Sequence, residues 1–105
     1  MKNLVVLRDL LINASDYQWN VSLFLPNGEN WGLNSSCYLI DLDELDDNED
    51  IPKFAVQNNY CYVLNMADIQ DIVDNVKQQR AECSELDLFE AFLYYFKYDA
   101  FISFN

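Results

Sequence analysis

The sequence predicts an α+β fold, a small antiparallel or mixed sheet with an N-terminal helix and two C-terminal helices packed beside it. Three observations predict it. Val21–Leu25, Cys37–Leu42 and Tyr60–Leu64 are short apolar or alternating runs of strand length. Two longer C-terminal stretches instead place apolar residues three and four apart, the period of a helix with one buried face. Finally, strand-like and helix-like segments are segregated along the chain rather than alternating as in a βαβ unit.

The elements follow in order. Leu4, Leu7, Leu10 and Leu11 have helical spacing, which predicts a helix from about Lys2 to Ala14, ended by Ser15 and Asp16. Val21–Leu25 is a strand stopped by the turn Pro26-Asn-Gly28. Trp31–Leu33 reads as a short edge strand, with Trp19 and Trp31 packing around the first strand. Cys37–Leu42 and Tyr60–Leu64 are the second and third good strands, and Lys53–Asn59 forms one or two helical turns. From about Ala67 to Gln79, Ile69, Ile72, Val73 and Val76 form an apolar stripe. Asp68 in the first turn and Lys77 and Arg80 at the end complement the helix macrodipole. Ser84-Glu-Leu-Asp87 reads as a capping box with Asp in place of Glu. It opens a helix from about Glu85 to Lys97 that packs Leu86, Phe89, Phe92, Leu93 and Phe96. Ala100–Phe104 closes the chain as a strand.

Composition narrows the function. The chain has 105 residues and 51% apolar content, which suits one domain over residues 1–105. Eighteen Asp and Glu against six Lys and Arg give a net charge of −12. A polyanion lacks the clustered cations that phosphate backbones and anionic membranes require. Histidine is absent, which removes Ser–His and Cys–His pairs and imidazole metal sites. Gly28 and Gly32 are the two glycines, too few for a phosphate-cradling loop. No catalytic residues, metal ligands or cofactor site are expected, and the chain is not expected to be an enzyme. Cys37, Cys61 and Cys83 are three and widely spaced, without a CxxC pair. They read as buried thiols in a reducing compartment. The N-terminal apolar run is interrupted by Arg8 and Asp9, and no run approaches the roughly 20 residues that span a bilayer. The expected compartment is the cytoplasm.

Charge is concentrated. Residues 41–50, DLDELDDNED, carry −7, against −1 over residues 1–40 and −4 over 51–105. Hard oxygen donors suit calcium, but the spacing fails: a loop opening at Asp46 puts Ile51 where the turn needs Gly and Gln57 where a bidentate Glu belongs. A solvated loop that only keeps the chain soluble is one reading; a docking surface for a cationic partner is the other. The docking reading uses Asp43, Glu44, Asp46, Asp47, Glu49 and Asp50. Asp68, Asp71 and Asp74, off the buried stripe of their helix, would extend it. Aromatics crowd residues 89–104, and Tyr94, Tyr95 and Tyr98 cannot all face inward with Phe89, Phe92 and Phe96. They are the candidate anchors, apolar in body with a polar tip.

The order of the segments WNVSLFLPNGENW, CYLIDLDELDD, DIQDIVDNVKQQ and LDLFEAFLYYFKYDAFI, together with the acidity, resembles small acidic immunity proteins of bacterial contact-dependent growth inhibition systems. The resemblance implies a binding protein that neutralises a toxin domain encoded upstream. That partner would be a basic nuclease, an RNase in the first instance, with no nucleic acid or membrane bound by the chain itself. The alternatives are an acidic nucleic-acid mimic that inhibits a DNA-binding protein, and a small calcium-binding protein. Against the mimic, seven of the eighteen acids sit in ten residues rather than along the whole length.

Overall fold

In the computed structural model, the described residues are 3–28, 30–41, 43 and 53–104. β1 (Asn3–Val6) runs directly into α1 (Leu7–Ile12), followed by a 3-10 turn at Ala14–Asp16. Then come β2 (Ser22–Pro26), β3 (Ser36–Ile40), α2 (Lys53–Gln57), β4 (Tyr60–Asn65), α3 (Met66–Gln79) and α4 (Glu85–Tyr98). The four strands form one sheet in the order β1-β3-β2-β4, antiparallel at every pairing. The α+β class and the two C-terminal helices expected from the sequence are present.

The expected helix at the N-terminus is half strand. Asn3–Val6 pairs with β3, Val5 opposite Cys37 and Val6 opposite Ser36. The β-branched pair Val5-Val6 suits a ladder better than a helix. The helix starts at Leu7, and Leu7, Leu10 and Leu11 are buried while Leu4 is 55% exposed. Val6 supplies no side-chain cap. The first helical amides are satisfied instead by distant carbonyls, Leu7 N–H donating to Ser35 O and Arg8 N–H to Leu33 O, each at 2.9 Å.

That arrangement also explains why Trp31–Leu33 is not a strand. Its polar groups are committed to turns: Leu33 O caps α1, Gly32 N–H donates to Ser35 Oγ at 2.8 Å, and the Trp31 indole donates to Pro26 O at 2.8 Å. Trp31 is half-buried, whereas Trp19 is 69% exposed and does not pack as expected. Gly28, at φ +80°, makes the turn after β2, a conformation that favours glycine.

The core lies between the sheet and the helices. Leu23, Leu25, Cys37, Leu39 and Val63 meet Leu7, Leu10, Leu11, Ile69, Ile72, Val76, Leu88 and Phe92. A β-bulge shifts the register between Leu23, opposite Leu64, and Phe24, opposite Tyr62. The extra residue, Val63, is buried in the core, and Leu64 packs against the same core. Phe24 and Ala55 of α2 are buried outside that cluster, and Tyr62 meets Phe24 edge to face at 5.9 Å.

α3 begins at the N-cap Asn65, whose Oδ1 accepts from Asp68 N–H at 2.8 Å. α4 carries the capping box read from the sequence: Asp87 N–H donates to Ser84 Oγ at 3.1 Å and Ser84 N–H to Asp87 Oδ2 at 3.0 Å. Replacing Ser84 with Ala is expected to cost about 1 kcal/mol, read as a fall in Tm of roughly 4–8 °C by circular dichroism. The core face of α4 differs from expectation. Leu88, Ala91 and Phe92 are buried, while Leu86 and Phe96 are 55% and 44% exposed. α4 packs against both α1 and α3, which turns the Leu88–Phe92 side inward.

Ala100–Phe104 is not a strand. Gln79 on α3 holds it as a ladder would, its Nε2 donating to Ile102 O at 2.8 Å and its Oε1 accepting from Phe104 N–H at 2.9 Å. The Arg80 guanidinium lies 4.4 Å from the Phe104 ring centroid, and Ile102 and Phe104 pack against the core. One side-chain amide satisfies two backbone groups without a neighbouring strand.

Candidate functional site

The candidate site is built on α3 and α4. Asp68 and Asp71 sit one turn apart on α3. Tyr95 is half-buried on α4, and Asp99 ends that helix at φ 54°, its N–H donating to Tyr95 O at 2.8 Å. Phe101, 47% exposed, lies against the Tyr95 ring with centroids 5.5 Å apart. Tyr62 of β4 is near enough to Asp68 to feel its charge.

These groups act on one another electrically. Burial pushes the Asp68 carboxyl above the usual carboxylate range, and the charges of Asp71 and Asp99 push it further. Burial raises the Tyr95 phenol, with Asp68, Asp99 and Asp71 adding to the rise. Tyr62 is raised by burial and by Asp68. A carboxylate held in a structural ion pair moves the other way, as Asp87 does: its hydrogen bonds from Ser84 and the nearby Arg80 lower it. Asp68, Asp71 and Asp99 are thus a patch of like charge around an aromatic ring. Among the described residues, none of the three makes an ion pair; the pairs are Arg8–Glu85 at 2.9 Å and Arg80–Asp87 at 3.1 Å.

The other expected site residues lie elsewhere. Asp74 is exposed and lines a separate small cleft of about 200 Å³ with Ser15, Gln70 and Lys77. Tyr94 and Tyr98 meet in a tilted contact with ring centroids 4.6 Å apart, and the Lys97 ammonium lies 5.3 Å from the Tyr98 ring centroid. Asp43 is exposed, and its N–H donates to Asp41 Oδ1 at 2.9 Å. Glu44, Asp46, Asp47, Glu49 and Asp50 lie outside the described residues. Asp99 escaped the sequence reading, which ended the helix at Lys97. The available signal was its position just past the last helical turn, where a left-handed residue stops a helix.

The site offers charge and aromatic surface. Among the described residues no group of three or more His, Cys, Asp or Glu is arranged to hold a metal ion, and no buried side-chain polar atom lacks a hydrogen bond. The three cysteines are free thiols; Cys37 is buried, whereas Cys61 and Cys83 are half-buried rather than buried as expected. Cys37 Sγ donates to Val5 O at 3.2 Å, and burial pushes its pKa up to about 12. Alkylation of the folded protein at pH 8 is therefore expected to label Cys61 and Cys83 and to spare Cys37 until denaturant is added, as peptide mass mapping checks. Among the described residues no helix is long and apolar enough to cross a membrane.

No curated protein and no solved structure matches the chain. From β1 to the tail clamped by Gln79, residues 4–104 match the family described as a domain of unknown function, DUF7716, and the chain belongs to that family.

Proposed function

We propose that this chain is an immunity protein, a cytoplasmic inhibitor without catalysis of its own that binds a basic toxin domain. The patch formed by Asp68, Asp71 and Asp99 around Tyr95 carries this reading. Its carboxylates repel one another in the free protein, and a cationic partner relieves that repulsion on binding. A nuclease holds polyphosphate and so presents an electropositive surface. A compact polyanion seated there excludes the substrate without needing chemistry of its own. Tyr95, half-buried and within reach of the three charges, supplies a rigid ring beside them.

The test is direct. The chain is mixed with the product of the gene immediately upstream, and RNA cleavage by that product is followed as the ratio rises. Loss of cleavage at equimolar chain supports the proposal. Full cleavage at tenfold excess, with no complex on gel filtration, rejects it.

A further inference from the structure

α4 carries more apolar surface than its own fold uses. Leu88, Ala91 and Phe92 are buried in the core, and Phe89, Leu93 and Tyr95 are partly buried against it. On another side Leu86, Phe89, Leu93 and Phe96 repeat at spacings of three, four and three residues, the seam of a two-stranded coiled coil. Leu86 and Phe96 are 55% and 44% exposed, while Phe89 and Leu93 between them pack partly against the core and leave the rest of their surface open. The Phe96 ring lies 5.1 Å from Trp31, and Trp31, Leu93, Phe96 and Lys97 line an open groove of about 460 Å³ beside the seam. The tail does not cover this side, because Phe101 lies against Tyr95 and Gln79 and Arg80 hold residues 102–104 toward α3.

The charges along the seam name its occupant. Glu90 and Lys97, both exposed, are seven residues apart and flank the seam on the same side at equivalent heptad positions. When two such helices lie antiparallel, the flanking position near the end of one meets that near the start of the other. Lys97 of each copy then faces Glu90 of its mate, giving two reciprocal ion pairs across one two-fold axis. A parallel pair would instead bring Glu90 beside Glu85 of its mate, a like charge, and leave Lys97 without an acidic partner. We infer that α4 pairs two copies of this chain antiparallel through Leu86, Phe89, Leu93 and Phe96, with reciprocal Glu90–Lys97 contacts. The acidic patch of Asp68, Asp71 and Asp99 lies on the α3 side of α4, so pairing leaves it open on both copies.

The seam is short and both chains carry −12, so the dimer belongs to the weak class. Sedimentation equilibrium in about 0.3 M salt, where the Debye length is under about 8 Å, screens the net repulsion. The mass is expected to rise from 12.3 kDa toward twice that value between about 10 µM and about 1 mM chain. Lys97→Glu and Glu90→Lys each set like charges across the axis, and each alone is expected to weaken association at least tenfold. An equal mixture of the two variants restores opposite charges at both contacts, and is expected to recover the wild-type mass as a mixed dimer. Circular dichroism checks that both variants fold, as expected for exposed helical positions. A wild-type chain that stays at 12.3 kDa throughout overturns the inference. Dimerisation of either single variant at the wild-type level, or failure of the mixture to recover, also overturns it.

Discussion

Phe92→Ala is expected to lower the unfolding free energy by about 3–5 kcal/mol. Phe92 is fully buried on α4 in the cluster that joins α3, α1 and the sheet. Removing the ring loses its transfer free energy and leaves a cavity that the surrounding Leu and Ile side chains fill only in part. A small domain has about 5–15 kcal/mol of stability, so this one change consumes a large share of it. Urea unfolding checks the result: the midpoint falls while the slope stays constant. Phe96→Ala is the internal control. Its ring is 44% exposed, so its loss in the single chain is expected to stay near 1 kcal/mol. Equal losses at the two positions would show that α4 packs by the face read from the sequence, with Phe96 inside.

The second large effect is on recognition. Changing Asp68, Asp71 and Asp99 to Asn is expected to slow association with the proposed partner, a basic toxin domain, by about 10- to 100-fold at low salt. The difference from wild type shrinks as salt rises, since the Debye length falls from about 10 Å at 0.1 M to about 3 Å at 1 M. Tyr95→Ala is expected to speed dissociation instead, by the 2 kcal/mol or more of an anchoring residue, which is about 30-fold. Stopped-flow association and surface-based dissociation rates separate the two. An unchanged association rate for the triple variant at low salt removes the patch from the interface. The patch also affects acid stability. A carboxyl raised in the folded state contributes stability that is present below its unfolded value, ordinarily 3.8, and lost as pH rises through the folded value. Asp68 therefore favours the fold on the acid side, and Asp87, lowered by Ser84 and Arg80, does the opposite. The triple variant lacks the Asp68 contribution, so its stability is expected to fall more steeply than that of wild type as the pH drops toward 3.8.

What the sequence by itself determined is what closes within a few residues. The Ser84–Asp87 capping box, the Ile69–Val76 stripe, the Pro26–Gly28 stop and the strands at Val21, Cys37 and Tyr60 are local patterns, and each appears close to where it is written. The excess of acid and the absence of histidine are likewise properties of the chain alone. Tertiary structure decided everything whose partner is distant. Residues 3–6 have a leucine spacing that fits a helix, and become strand because β3, thirty or more residues on, supplies the hydrogen bonds. Ala100–Phe104 has strand composition, yet Gln79 already satisfies its backbone from a helix. α4 is apolar on two sides, and only its packing against α1 and α3 selects Leu88, Ala91 and Phe92 for the core. Asp68 and Asp71 are more than twenty residues from Tyr95 and Asp99. No spacing rule joins them, because helix packing, not the helical period, brings their charges within reach of one another.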